Sequence, residues 1–116
     1  MKNQRTFQEM IKMTRTVIKE FDKVEQKPWG IEGSMIELSK QVGDLAKHVM
    51  VMEKYYHKER EEQEEYKTTK ENIADELTDL FFMIVRIADH YAIDLEEANV
   101  IARTGDMKYF GKEVDF

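Results

Sequence analysis

Residues 73–91 read IADELTDLFFMIVRIADHY, and this stretch decides the fold class. Its main apolar residues recur at intervals of three and four, which is the spacing of one face of an α-helix. They are Ile73, Leu77, Leu80, Phe81, Ile84, Ile87, Ala88 and Tyr91. The run from 80 to 85 is apolar on all sides. This pattern predicts a helix over about 70–91 that lies at the centre of a bundle or at a subunit interface.

Three further segments show helical periodicity. They span about 6–24, 34–57 and 94–102. Ser34 and Glu37 have the spacing of a capping box, although Gly33 is an alternative start for the second helix. The chain has one proline and five glycines, too few turn residues for a large sheet protein. We therefore predict an all-α fold, a four-helix antiparallel bundle in a single domain over 1–116.

Two segments lack an apolar face. Residues 58–70 are almost wholly polar, which predicts a solvated extension of the second helix followed by a loop. The short helix from Asp94 is expected to end near Gly105, and the tail over 106–116 gives no clear structural prediction.

The overall composition limits the classes of function. The net charge of −6 argues against a partner that is a nucleic-acid polymer, because such binders carry basic patches. There is no cysteine, which excludes disulfides and thiolate metal sites, and no apolar run is long enough to span a membrane. The first nine residues are polar and contain no signal-like apolar region. A soluble, cytoplasmic protein is the expectation.

Acidic residues flank the apolar stripes on two of the predicted helices. Glu76 and Asp79 are three residues apart, so their carboxylates share one side of a helix. The 34–57 helix carries a parallel polar strip made of Glu37, Gln41, Asp44 and His48. If the two helices pack antiparallel, the strips face each other and offer the oxygen ligands that Mg²⁺ prefers. The alternative is that Glu76 and Asp79 pair with lysines of neighbouring helices.

Two of the quoted segments resemble the all-α nucleotide pyrophosphohydrolases, the family of MazG, the dimeric dUTPases and the dCTP pyrophosphatases. Residues 36–46, IELSKQVGDLA, resemble its first motif, and residues 74–82, ADELTDLFF, resemble its Glu-x-x-Asp motif. The continuation over 93–98, IDLEEA, is similar to the segment that follows in the family. The resemblance implies a Mg²⁺-dependent enzyme, with Mn²⁺ as an alternative metal, that assembles as a homodimer or a homotetramer built as a dimer of dimers.

The resemblance also implies a set of site residues. The four metal-binding positions fall on Gln41, Asp44, Glu76 and Asp79, and Glu37 is a candidate proton acceptor. Gln41 and Lys40 stand where the family has acids. The loss of negative charge, together with the added positive charge of Lys40, is expected to lower Mg²⁺ affinity.

The candidate substrate-binding residues are Trp29, Lys47, Met83 and Lys108. Trp29 stacks on a nucleobase or serves as a packing cap on the bundle, and the sequence does not choose between these roles. The preferred function is house-cleaning hydrolysis of a nucleoside triphosphate to the monophosphate and pyrophosphate. The alternatives are a catalytically impaired module that binds a nucleotide or a partner, and a purely structural helical oligomer.

Overall fold

A computed structural model describes residues 4–116. The described chain is helical and contains no β-strand, which confirms the predicted all-α class. Its helices are α1 (Phe7–Asp22), α2 (Gly30–Met52), α3 (Lys58–Glu61), α4 (Lys70–His90) and α5 (Leu95–Tyr109). A 3₁₀ turn over Glu64–Tyr66 precedes α4. None of the helices formed by residues 4–116 has the length and hydrophobicity needed to cross a bilayer.

Side-chain caps fix where three of these helices begin. The Thr6 and Thr69 hydroxyls accept hydrogen bonds from the backbone N–H groups of Glu9 and Asn72, whose side chains bond back to the caps. These reciprocal pairs satisfy N–H groups that otherwise lack a partner in the first turn. Asp94 caps α5 through the N–H of Glu97.

The start of α2 differs from the prediction by one turn. The helix begins at Gly30, whose φ of +59° suits glycine, and Ser34 lies inside it. The Ser34 hydroxyl is buried and donates to the Gly30 carbonyl at 2.8 Å, so it caps nothing. A Cβ on Gly33 would lie 2.7 Å from the Cβ of Trp29, so this glycine lets the indole pack against the first turn.

The polar segment after α2 is mostly exposed, as predicted, but it does not extend that helix. The helix ends at Met52, and Lys54 adopts a left-handed φ of 63° that redirects the chain. The rings of Tyr56 and Tyr66 then meet edge to face at 5.4 Å, with the Arg60 guanidinium over both. These aromatic and cation–π contacts stabilise the segment locally, where it forms α3 and the 3₁₀ turn.

Helix α5 is longer than predicted and lies apart from the core. It passes through Gly105 and ends at Tyr109, so part of the tail is helical. A glycine inside a helix lowers its stability by only about 1 kcal/mol relative to alanine. The ion pair between Arg103 and Asp106 bridges the turn that contains Gly105. Only Leu95, at the start of α5, packs against the buried core.

Helix α4 is central, as its all-round apolar run predicted. On one side, Val85 is completely buried against Ile11 and Ile18 of α1, with Phe81 and Phe82 at the edge of this cluster. On the other side α4 packs along α2. Within one chain the packed core is therefore built by α1, α4 and α2.

The contacts between α2 and α4 establish their relative direction. His48, near the end of α2, faces Glu76, near the start of α4. At the other end, the Arg86 guanidinium lies 4.5 Å from the ring of Trp29, next to the first residue of α2. The two helices are antiparallel, so the polar strips that the sequence assigned to them lie along one shared cleft.

Candidate metal centre and adjoining cavity

The α2–α4 cleft brings together the acidic strips of the two helices. Glu37, Gln41 and Asp44 follow one another on α2 at spacings of four and three residues, and Glu76 and Asp79 lie opposite on α4. All five side chains belong to half-buried residues. Carboxylates in such a position require a counter-charge or hydrogen bonds.

Glu76 lies in an unfavourable environment for a charged carboxylate. Burial raises the pKa of its carboxyl, and repulsion from Asp44 and Asp79 raises it further, while His48 acts in the opposite direction. The side chain is 17% exposed, and its Oε2 atom is buried without a hydrogen-bond partner among residues 4–116. A buried carboxylate oxygen without a hydrogen-bond partner requires an explanation, and an ion or a water is one such explanation.

The pKa of Asp79 is also raised. Burial is the largest cause, followed by repulsion from Asp75, and Asp44 and Glu37 add to it. The charge of Lys40 lowers the pKa of Asp79 and so offsets part of this effect. The acids of both helices therefore interact electrostatically across the cleft.

Lys40 provides the positive charge nearest to the α2 acids. Its Nζ atom lies 3.4 Å from Asp44 Oδ2 and 3.5 Å from Glu37 Oε2, and these carboxylates, Glu37 first, raise the pKa of Lys40. Glu37 Oε2 also accepts a hydrogen bond of 2.9 Å from the Gln41 amide. Lys40 and Gln41 thus both contact Glu37.

The residues of the cleft supply donor atoms suited to a divalent cation, but their side chains do not converge on one point. Carboxylate and amide oxygens are suitable donors for Mg²⁺, and the orphaned Glu76 oxygen is a ligand without a partner. In this conformation, however, no three His, Asp or Glu side chains within residues 4–116 converge on one point that could hold a metal.

A cavity of about 330 Å³ adjoins the acids. Ligand pockets in proteins begin at about this size. Five residues that the sequence assigned to the site line it, namely Trp29, Glu37, Gln41, Asp79 and Met83. The cavity therefore combines apolar walls with the carboxylates of one edge of the cleft.

Two assigned substrate-binding residues lie elsewhere. The Lys47 ammonium lies 5.4 Å from the ring centroid of Tyr66, and Lys108 is exposed in the last turn of α5. Neither lines the cavity. Lys47 supports the segment before α4, and the remoteness of α5 from the cleft removes Lys108 from the site within one chain.

The cavity also contains residues that the sequence interpretation missed. They are Phe21, Glu25, Phe82 and Arg86. Arg86 follows Asp79 and Met83 by seven and three residues on α4, a spacing that places all three on one helix face. That periodicity was the available signal for Arg86, whereas Phe21 and Glu25 reach the cavity through the docking of α1.

Arg86 forms one wall of this cavity. Its guanidinium is 10% exposed, binds Glu25 and Asp22, and stacks on Trp29. Arg86, Trp29 and Glu25 also line a larger groove of about 740 Å³ on the α1 side. The ion pair fixes the indole in place and separates the two spaces.

Comparisons of this chain with models of known protein families, with curated proteins and with solved structures found no match.

Proposed function

We propose that this chain is a MazG-like nucleoside triphosphate pyrophosphohydrolase that uses Mg²⁺ or Mn²⁺. One observation carries the proposal: Glu37, Gln41 and Asp79 share a ligand-sized cavity with Trp29 and Met83, and the orphaned Glu76 carboxylate belongs to the preceding turn of the helix that carries Asp79. Carboxylates beside an apolar cavity suit a ligand with a flat apolar end and an anionic end. A divalent cation would bind both the carboxylates and the anionic end.

In this proposal, Gln41, Asp44, Glu76 and Asp79 hold the metal. When bound, a divalent ion supplies charge neutralisation for phosphates and a lowered pKa for water. Gln41 donates its amide N–H to Glu37, which leaves its carbonyl oxygen as the ligand atom. The reaction joins a water oxygen to phosphorus, breaks the α–β anhydride bond and releases pyrophosphate.

Glu37 is the proposed proton acceptor. It lines the cavity next to Asp79, and its Oε2 atom is held by the Gln41 amide. A base positioned within reach of the attacking water removes its proton as the new bond forms. Trp29, fixed by Arg86, forms the apolar wall for the nucleoside end of the substrate.

The test is release of pyrophosphate from the common ribo- and deoxyribonucleoside triphosphates with Mg²⁺ or Mn²⁺. We expect turnover of at least one triphosphate, abolished by EDTA and restored by excess metal. Turnover no higher than that of a Glu76→Gln variant with every triphosphate would refute the enzymatic proposal.

We also propose that a second copy of the chain completes the bundle. Met35, Val42 and Val49 repeat every seven residues on α2, and Leu77, Ile84 and Tyr91 repeat in the same way along α4 and its cap. All six are 41–58% exposed. Two antiparallel helices that each expose such a stripe form half of a four-helix bundle.

The exposed area supports this assembly. The chain exposes 9431 Å², whereas a folded monomer of 13.8 kDa exposes about 6,600 Å². The excess of roughly 2,800 Å² is more than three times the ~800 Å² that each partner buries in an interface of standard size. The radius of gyration of 17.9 Å likewise exceeds the ~13 Å of a compact chain of this length.

The Ile84→Asp substitution tests this interface. A charge at the centre of the apolar stripe is expected to weaken association tenfold or more, because it must be buried without a partner. Light scattering coupled to gel filtration measures the mass of the assembly, with Ile101→Asp on the exposed face of α5 as the matched control.

A monomeric natural chain at micromolar concentration would contradict the assembly, as would an Ile84→Asp variant that keeps the natural mass. Val42→Lys on α2 provides a second test of the same surface if Ile84→Asp lowers helix content by circular dichroism.

Lys40 favours one further candidate, a module that binds nucleotide without cleaving it. Its ammonium already offsets part of the negative charge of Asp44 and Glu37, so the cleft has less need of a divalent ion than an all-carboxylate site. In this alternative, nucleotide raises the melting temperature while Mg²⁺ alone does not.

A further inference from the structure

His48 connects the acidic cleft to the segment that leads into α4. Its Nδ1 atom lies 2.8 Å from the Thr68 hydroxyl, and its Nε2 atom lies 3.8 Å from Glu76 Oε1. The side chains of His48 and Glu76 are only 14% and 17% exposed. The imidazole therefore lies between a hydroxyl just before the cap of α4 and the strained carboxylate on that helix.

The two contacts together select the orientation of the ring's N–H group. A neutral imidazole with its proton on Nδ1 would direct the Nε2 lone pair towards the Glu76 carboxylate, which is repulsive. With the proton on Nε2, the N–H group faces Glu76 and the Nδ1 lone pair accepts the Thr68 hydroxyl proton. The imidazolium form also directs an Nε2–H group at Glu76.

We propose that His48, oriented by Thr68, is a positioning residue that fixes the Glu76 carboxylate for a divalent cation. The ring attracts Oε1, and Oε2 is the buried oxygen of Glu76 that has no hydrogen-bond partner within residues 4–116. Groups that orient a metal-binding carboxylate in this way change metal affinity 10- to 100-fold when removed. This inference rests on the proposed function, because it assumes that Glu76 receives a cation.

The arrangement also gives the folded 53–69 segment a role at the site. Thr68 is half-buried and directly precedes Thr69, the residue that caps α4. The His48–Thr68 contact thus links the end of α2, the start of α4 and the carboxylate of Glu76 about two turns further along the helix.

Amide substitutions at residue 48 separate the two contacts. A glutamine amide nitrogen matches the position of Nε2, whereas an asparagine amide matches Nδ1. We expect His48→Gln to retain Mn²⁺ affinity within about threefold and His48→Asn to lose about tenfold or more. Thr68→Val is expected to lose several-fold. Mn²⁺ binding is measured by calorimetry without nucleotide, with His90→Asn on the exposed end of α4 as the control.

Imidazole ¹⁵N spectra of the metal-free protein give a readout independent of metal. We expect His48 to show an Nε2–H group in the natural chain and to lose this preference in Thr68→Val. A neutral ring protonated on Nδ1 alone would overturn the proposal, as would equal Mn²⁺ affinity in His48→Gln, His48→Asn and the natural chain.

The failure of this proposal is distinguishable from failure of the proposed function. If Glu76→Gln abolishes Mn²⁺ binding while His48→Asn leaves it unchanged, His48 has no positioning role and the metal site stands. If the natural chain binds no Mn²⁺ with or without nucleotide, the proposed function and this inference both fall.

Discussion

A Glu76→Gln variant is expected to lose more than about 100-fold of metal-dependent pyrophosphate release and to melt at a higher temperature than the natural chain in metal-free buffer. The loss follows because an amide oxygen replaces the carboxylate that is buried beside Asp44 and Asp79. Removal of a direct ligand costs more than the 10- to 100-fold that is typical of groups behind the ligands.

The expected gain in stability follows from the pKa of Glu76. Because burial and neighbouring acids raise this pKa above 4.5, the ionised carboxylate opposes folding at every pH above the raised value. The penalty is complete at neutral pH and is lost as the pH falls through the folded-state pKa. The difference in melting temperature between Glu76→Gln and the natural chain should therefore be largest near pH 7 and shrink at acidic pH.

Glu71→Gln, in the exposed first turn of α4, is the matched control. It should leave turnover unchanged within about twofold, and its melting temperature should vary with pH as that of the natural chain does. Equal melting temperatures of Glu76→Gln and the natural chain at pH 7 would show that Glu76 is not strained. Undiminished turnover of Glu76→Gln would remove it from the metal site.

The double substitution Lys40→Glu with Gln41→Glu is expected to tighten Mn²⁺ binding about 10- to 100-fold. It removes the ammonium that lies 3.4 Å from Asp44 and 3.5 Å from Glu37, and it adds two carboxylates to the same face of α2. A divalent ion then replaces Lys40 as the counter-charge of the cleft. Calorimetry with Mn²⁺ measures the change.

Lys40→Gln alone separates loss of the ammonium from gain of acids, and it should give part of the increase. Unchanged Mn²⁺ affinity in both variants would mean that Lys40 does not compete with a cation. Pyrophosphate release that appears only in the double variant would identify the natural chain as a binding module. Release already present in the natural chain would instead favour the enzyme.

The sequence predicted those features that depend on neighbours within one helix. The periodicity of residues 73–91 was sufficient to place α4 at the centre, and Asp94 was recognised as the start of the last helix. The spacing of the acids on each helix followed from the 3.6-residue repeat alone. The shared cleft was predicted on the condition that the two helices pack antiparallel, and they do.

Features that depend on distant parts of the chain were missed or misplaced. Ser34 has the composition of a cap, but the positive φ of Gly30 begins the helix one turn earlier. Residues 58–66 are mostly exposed, as predicted, but they do not continue α2, because the pairing of Tyr56 with Tyr66 links residues on either side of a bend. Glu25 joins the cavity only through its contact with Arg86, 61 residues away in the chain.

Arg86 and Trp29 line both the cavity and the larger groove, and the carboxylates that bind Arg86 come from α1 and the residues just after it. The depth available to a molecule in the acidic cleft is consequently set by a helix that contributes none of the four proposed ligands. Substitutions in α1 that weaken its packing against α4 would alter which molecules fit the cavity, even if the acids of the cleft stay the same.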